Sequence, residues 1–177
     1  MVKRRSRCEV NWWWISDQEI QQYVDYYKNE GLNEDEALAA AVEDAEERNA
    51  LYVEAIKNGY TVTDEEIYQW LDVLRAALEE DTTGVYQAAL EGFDSEEAYW
   101  DYEYEVYTVD LPIQNYVSAK EKEFFMNNPE VMNADIPYNE WTKAFEELKD
   151  ELVEKQNFQV VQWIWLWCDG YIICYLR

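Results

Sequence analysis

The stretch GYTVTDEEI at residues 59–67 contains the signals that decide the fold, a helix stop followed at once by a helix start. Gly59 stands where a preceding helix should end, because glycine readily adopts the left-handed backbone conformation found just past helix C-termini. Thr63 and Glu66 form a reciprocal capping pattern, in which each side chain accepts a hydrogen bond from the other residue's amide. One helix is therefore expected to end just before Gly59 and another to begin just after Thr63.

The same signals recur along the chain. Three more pairs place a short polar residue three positions before a carboxylate: Ser16 with Glu19, Asn33 with Glu36, and Asp94 with Glu97. Gly31 and Gly92 stand at two further expected helix ends. This spacing predicts a mainly α fold with six helices, at about 17–30, 34–58, 64–80, 83–91, 95–126 and 138–156.

Apolar residues spaced three or four apart give the predicted helices one buried face each. In the third helix these are Ile67, Leu71, Leu74 and Leu78, and in the last they are Trp141, Phe145, Leu148 and Leu152. In the fifth helix the spacing runs straight through Pro112, at Tyr99, Tyr102, Val106, Val109, Ile113, Val117 and Phe124. This continuity predicts one long helix kinked at the proline rather than two separate helices.

The pattern changes after the last helix. Residues 158–168 and 171–176 are rich in Trp, Val, Ile and Tyr, and they flank Asp169-Gly170, a pair that favours a two-residue hairpin turn. A C-terminal β-hairpin is therefore predicted over 158–177. The chain contains no internal repeat and no flexible linker, so residues 1–177 are expected to form a single domain.

The composition is strongly acidic and aromatic. Among 177 residues, 39 acidic and 14 basic side chains give a net charge of −25 at pH 7, which disfavours direct binding to nucleic acid or to an anionic membrane. Apolar residue types make up 49% of the chain and include 9 Trp and 15 Tyr, enough for a packed core. Basic residues are concentrated at the start, at Lys3, Arg4, Arg5 and Arg7.

Histidine is absent, which excludes Ser-His-Asp and Cys-His catalysis and histidine-ligated metal centres. Paired carboxylates are too common for any one pair to stand out as a catalytic acid and base. A calcium loop counted from Asp94 fails, because Ala98 and Tyr99 occupy positions that need a ligand and a glycine. We therefore expect a protein that is not an enzyme, with no catalytic residues, no metal site and no cofactor.

Targeting signals are weak. The basic first residues resemble the start of a secretion signal, but Cys8-Glu9-Val10-Asn11 follows where an apolar run is needed, so no signal peptide is expected in the chain as written. No uninterrupted apolar run reaches the length of about 18 residues needed to span a membrane. Cys8, Cys168 and Cys174 match no metal or CxxC spacing, which leaves free thiols or one disulfide as the alternatives.

Residues 47–56, ERNALYVEAI, followed by the stretch at 59–67, resemble the SurA-like N-terminal domain of extracytoplasmic chaperones, which PrsA-type lipoproteins share. The segments FDSEEAYW at 93–100 and LPIQ at 111–114 are similar to variants of this domain in Gram-positive bacteria. The opening Val10-Asn11 and residues 15–20 resemble the start of the family pattern, and residues 151–160 resemble its closing helix and strand. The resemblance covers about residues 9–161.

This resemblance implies a chaperone-like helical module in the cell envelope, whose N-terminal segment pairs with a strand from the C-terminal end in a small β element. Trp12 departs from the family, because a turn glycine is expected there. No parvulin-type isomerase domain follows within the 177 residues, and without histidine the isomerase chemistry of the longer relatives is not implied.

Three functional interpretations remain open. Segments 30–47 and 94–119 contain no Lys or Arg. They could be ordinary solvated helix faces, a surface that attracts basic clients, or a surface that mimics DNA phosphates. The leading hypothesis is a non-enzymatic holdase or assembly domain that binds unfolded or extended polypeptide. Its candidate contacts are aromatic residues on the helices, Trp70, Trp100, Tyr104 and Phe125. The alternative is an acidic decoy that occupies a DNA- or RNA-binding protein; a third possibility is a structural domain without clients.

Overall fold

The computed structural model describes residues 17–131 and 137–156 of the chain. These residues are mainly helical and contain no strand, which confirms the mainly α class. The helices follow the predicted order and bounds closely: α1 (Asp17–Asn29), α2 (Glu34–Lys57), α3 (Asp64–Glu79), α4 (Val85–Leu90), α5 (Glu96–Asn127) and α6 (Pro137–Gln156). The predicted hairpin over 158–177, and its pairing with the N-terminal segment, lie outside the described residues.

Two of the predicted capping pairs form as expected. At the start of α2, the Asn33 side chain accepts from the Glu36 amide at 3.1 Å, and the Asn33 amide donates to the Glu36 carboxylate at 3.2 Å. At the start of α3, the Thr63 amide donates to Glu66 at 2.8 Å and the Thr63 hydroxyl accepts from the Glu66 amide at 3.3 Å. Gly59, just past the end of α2, has a φ of +85°, the left-handed conformation expected of a glycine that ends a helix. The Ser16–Glu19 pair includes Ser16, which lies outside the described residues.

The predicted cap of α5 is wrong by one residue. Ser95, not Asp94, is the capping residue, and its hydroxyl accepts from the Ala98 amide at 3.1 Å. Both residue types cap helices well, so the local sequence alone does not choose between them. Gly92 lies just past the end of α4, as predicted, but without a left-handed φ; the left-handed glycine beside α4 is Gly84, at its start, with a φ of +85°.

Helix α5 runs without a break from Glu96 to Asn127, with Pro112 inside it, so the predicted continuity is confirmed. A proline in a helix leaves the carbonyl four residues earlier, here that of Thr108, without its usual amide donor. Pro112 is fully buried, and its neighbour Leu111 belongs to the core. Packing on both sides of the proline therefore keeps the two halves of α5 in one helix.

Three hydrophobic clusters hold the helices together. The first joins α3, α4 and α5 through Ile67, Leu71, Tyr86, Tyr99, Trp100 and Leu111. The second joins α2, α5 and α6 through Ala50, Leu51, Ala55, Tyr116 and Leu152. The third joins α1 to α2 through Val24, Ala37 and Ala41. Helix α2 is thus the central element, packing on α1, α5 and α6, while α3 packs on α5.

The predicted apolar stripes of α3 and α6 face the core, whereas that of α5 does so only in part: Tyr99 is buried, but Tyr102, Val106 and Val109 are half-buried and lie outside the three clusters. In α3, Ile67 and Leu71 are buried, and Leu74 and Leu78 pack against them. In α6, Leu152 is buried, and Phe145 and Leu148 pack beside it. The aliphatic residues of α3 therefore fill its buried face, which leaves the aromatic residues of that helix at the margins.

Candidate polypeptide-binding surface

The four aromatic candidates do not form one site. Trp70 lies on α3 and is 39% exposed. Tyr104 and Phe125 are half-buried and lie toward opposite ends of α5. Trp100, also on α5, is only 6% exposed. The candidates are therefore divided among an α3–α5 surface, an α5–α6 surface and the core.

Two aromatic pairs bridge α3 and α5 and are called here the α3–α5 aromatic pairs. Tyr68 packs against Tyr104 with 5.1 Å between ring centroids, and Trp70 packs against Tyr107 at 5.8 Å. Tyr68 is 58% exposed, more than Trp70. A hydrogen bond with the Asp64 carboxylate raises the pKa of the Tyr104 hydroxyl and anchors that ring. Each pair therefore combines a ring held on α5 with a ring on α3 that is open to solvent.

Trp100 is a core residue. Its indole nitrogen donates to the Glu96 carboxylate at 3.2 Å, and the Arg75 guanidinium lies 4.5 Å from its ring centroid. Its ring also contacts Tyr86 and Tyr99, with centroids 6.1 and 5.0 Å away. In this fold, a client reaches Trp100 only if the first hydrophobic cluster opens.

Phe125 belongs to a second aromatic group, called here the α5–α6 aromatic cluster. Phe125 contacts Tyr138 at 5.7 Å and Phe124 at 5.4 Å, and Phe124 contacts Trp141 at 5.6 Å. Tyr138 is well exposed, as is the nearby Met126. The cluster lies where α5 ends and α6 begins.

A groove between α1 and α5, which the sequence did not predict, has a volume of about 650 Å³. Its lining includes three tyrosines and two valines: Tyr23, Tyr26, Tyr102, Val106 and Val109. It is called here the α1–α5 groove. The only sequence signal for it was the lack of basic residues in segments 30–47 and 94–119, which supply Asp44, Glu105 and Asp110 to its lining.

No metal centre is found among the residues that the structure describes, which hold no group of three or more His, Cys, Asp or Glu side chains placed to bind an ion. Within the same ranges, no helix is both long and apolar enough to cross a bilayer.

Two partly buried carboxyl groups oppose folding at neutral pH. Burial raises the pKa of Glu103 on α5, and the Asp110 charge adds to this, against a hydrogen bond with Tyr99 that lowers it. Burial and the neighbouring Glu43 raise the pKa of Glu46 on α2. Both groups hold a proton more readily in the folded state than in the unfolded state.

We predict that Glu103→Gln stabilises the protein relative to wild type at pH 7, and by more than it does at pH 4.5. A carboxyl group whose pKa is raised by folding stabilises the fold fully below its unfolded value of 4.5, and this contribution is lost as the pH rises through the folded value. Urea unfolding followed by circular dichroism at several pH values from 4.5 upward should show the variant gaining stability relative to wild type as the pH rises. Glu105→Gln, at an exposed position, is the control; equal slopes in all three proteins would contradict the prediction.

Compared with known proteins, the chain matches no family model, no curated protein and no solved structure.

Proposed function

We propose that this protein is a non-enzymatic, chaperone-like domain that binds unfolded or extended polypeptide, as a holdase or an assembly factor. The observation that carries the proposal is the exposure of Tyr68 and Trp70 on α3, beside a core that Ile67 and Leu71 already fill. Aromatic rings left open to solvent next to a complete core are typical of binding surfaces. The resemblance of residues 9–161 to SurA-like domains supports the same function.

The α3–α5 aromatic pairs suit a client of varied sequence. Each pair offers ring faces and edges that pack against any apolar side chain without demanding a particular hydrogen-bond partner. Burial of one such ring against a client contributes roughly 1.5–3 kcal/mol. The α5–α6 aromatic cluster, through Phe125 and Tyr138, offers a second surface of the same kind. Two separated apolar contacts would hold an extended chain better than a single one.

The high negative charge has a compatible role. A net charge of −25 keeps molecules that expose aromatic rings from associating with one another. It also favours the second candidate function, an acidic decoy that occupies a nucleic-acid-binding protein. The two functions differ in the contacts that supply affinity, because apolar contacts survive added salt and ion pairs at a surface do not.

We predict that Trp70→Ala and Tyr68→Ala each weaken binding of a neutral, unfolded client by about tenfold. Affinity is measured by fluorescence anisotropy with a labelled, permanently unfolded client, and function by suppression of that client's aggregation. Leu38→Ala, which truncates an exposed apolar side chain on α2, is the matched control and should change affinity by less than about twofold. Unchanged affinity in both aromatic variants would show that the α3–α5 aromatic pairs do not bind the client.

A further inference from the structure

We infer that the α1–α5 groove binds an extended, basic segment of polypeptide, with Lys or Arg side chains lying over its tyrosine rings. This inference rests on the proposed polypeptide-binding function, because it names a class of segment that a client would contribute. It concerns a surface separate from the α3–α5 aromatic pairs, so the two can be tested independently.

The packing of the helices creates the groove. Helices α1 and α5 both pack on α2, and the groove lies between them with Val106 and Val109 in its lining. Its volume of about 650 Å³ falls within the roughly 300–1,000 Å³ typical of ligand sites. Across it, the Tyr102 hydroxyl of α5 donates to the Gln22 side chain of α1 at 2.9 Å. This hydrogen bond links the α1 side of the groove, which contributes Tyr23 and Tyr26, to the α5 side, which contributes Tyr102.

The tyrosines provide cation-binding ring faces. Tyr26 is 56% exposed, and its ring meets Tyr27 edge-on with 5.2 Å between centroids. The Tyr27 hydroxyl donates to the Asp44 carboxylate at 2.6 Å, so the ring that supports Tyr26 is itself held by α2. A cation over the face of a tyrosine is attracted by the ring quadrupole, most strongly where water is partly excluded.

The charges in the groove select a cation. Its lining contains three carboxylates, Asp44, Glu105 and Asp110, against one guanidinium, that of Arg48. Arg48 is paired with Asp110, with its Nη2 2.9 Å from the Asp110 carboxylate. Whichever carboxylates Arg48 pairs with, the described part of the lining keeps a formal net charge of −2, because it holds three carboxylates and one guanidinium. A neutral apolar segment would desolvate these carboxylates without compensation, whereas a basic segment would pair with them.

The experiment uses the full chain and a labelled peptide in which lysine alternates with serine and phenylalanine, with matched peptides carrying glutamine or glutamate in place of lysine. At low ionic strength the lysine peptide should bind most tightly. Tyr26→Ala should weaken it by about tenfold and Tyr26→Phe hardly at all. Glu105→Lys should weaken it by about fivefold or more, whereas Asp72→Lys, an equal change of net charge at an exposed position of α3, should have less than about half of that effect.

Three results would overturn the inference. If Glu105→Lys and Asp72→Lys have equal effects, the peptide responds to overall charge and not to the groove. If Tyr26→Ala binds the lysine peptide as well as wild type does, the tyrosine faces are not contacts. If replacing Lys3, Arg4, Arg5 and Arg7 by glutamine makes the lysine peptide bind more than about tenfold tighter, the chain's own N-terminus competes for the groove and is its occupant.

A neutral client measured in parallel separates this inference from the proposed function. If the neutral client binds with an affinity that depends on Trp70, but the affinity for the lysine peptide is unchanged in the groove variants, the inference fails and the proposed function stands. If the lysine peptide depends on Tyr26 and Glu105 while no neutral client binds, the inference holds for a basic partner and the chaperone-like function fails.

Discussion

Replacing Trp100 by alanine should lower the free energy of unfolding by about 3–5 kcal/mol, the loss typical of a large aromatic side chain removed from a core. The side chain is 6% exposed, and its removal leaves a cavity among Tyr86, Tyr99 and Leu111. It also deprives the Glu96 carboxylate of an indole donor and the Arg75 guanidinium of its ring. Urea unfolding followed by circular dichroism at 222 nm measures the loss.

Two further variants serve as comparisons for Trp100→Ala. Trp100→Phe keeps a ring but removes the indole N–H, so it should lose clearly less stability than Trp100→Ala. Trp70→Ala removes the same side chain from a position that is 39% exposed and should lose about 1 kcal/mol or less. Equal stability losses at positions 70 and 100 would mean that the described packing of Trp100 is wrong.

Replacing Lys149 by methionine should cost about 2–3 kcal/mol of stability. Lys149 Nζ lies 2.6 Å from the Glu47 carboxylate of α2 and 2.8 Å from that of Glu146. The Lys149 and Glu47 side chains are only 15% and 18% exposed, so the variant leaves Glu47 with little access to water and without its cation. Burial lowers the pKa of Lys149, but the hydrogen bonds to Glu146 and Glu47 outweigh burial and raise it overall.

A matched variant exists on the same helix. Lys143 pairs with Glu140 at 3.2 Å but is 70% exposed, so Lys143→Met should cost less than about 0.5 kcal/mol. The double variant Lys149→Met, Glu47→Gln should recover much of the loss, because it removes the uncompensated charge. Similar losses at positions 143 and 149, or no recovery in the double variant, would contradict a stabilising, partly buried ion pair between α2 and α6.

The helices could be predicted because their signals are local. The caps at Asn33 and Thr63 and the stripe from Ile67 to Leu78 each depend on residues within one or two turns of one another. Where two capping residues adjoin, as Asp94 and Ser95 do, the choice depends on the path of the chain into α5, and the prediction missed it by one residue.

The candidate site could be predicted only in part, because exposure is a property of packing. Trp70 and Trp100 look alike in sequence, each within a run of apolar residues at helical spacing. Only the packing of α3, α4 and α5 buries one and leaves the other at the margin. The α1–α5 groove depends on contacts such as that between Gln22 and Tyr102, which are 80 positions apart. The lack of basic residues in segments 30–47 and 94–119 is visible in the sequence, but no local pattern shows that these segments meet in a groove.

Salt dependence distinguishes the chaperone-like function from the decoy function, and we would measure the affinity of the wild-type protein and of Trp70→Ala for a neutral, unfolded client as the salt concentration is raised. Apolar contacts are not screened, so wild-type binding should persist or strengthen with salt and stay about tenfold tighter than that of the variant. The contradicting result is that only basic partners bind, that added salt abolishes this binding, and that Trp70→Ala binds them as wild type does. The protein would then be the acidic decoy.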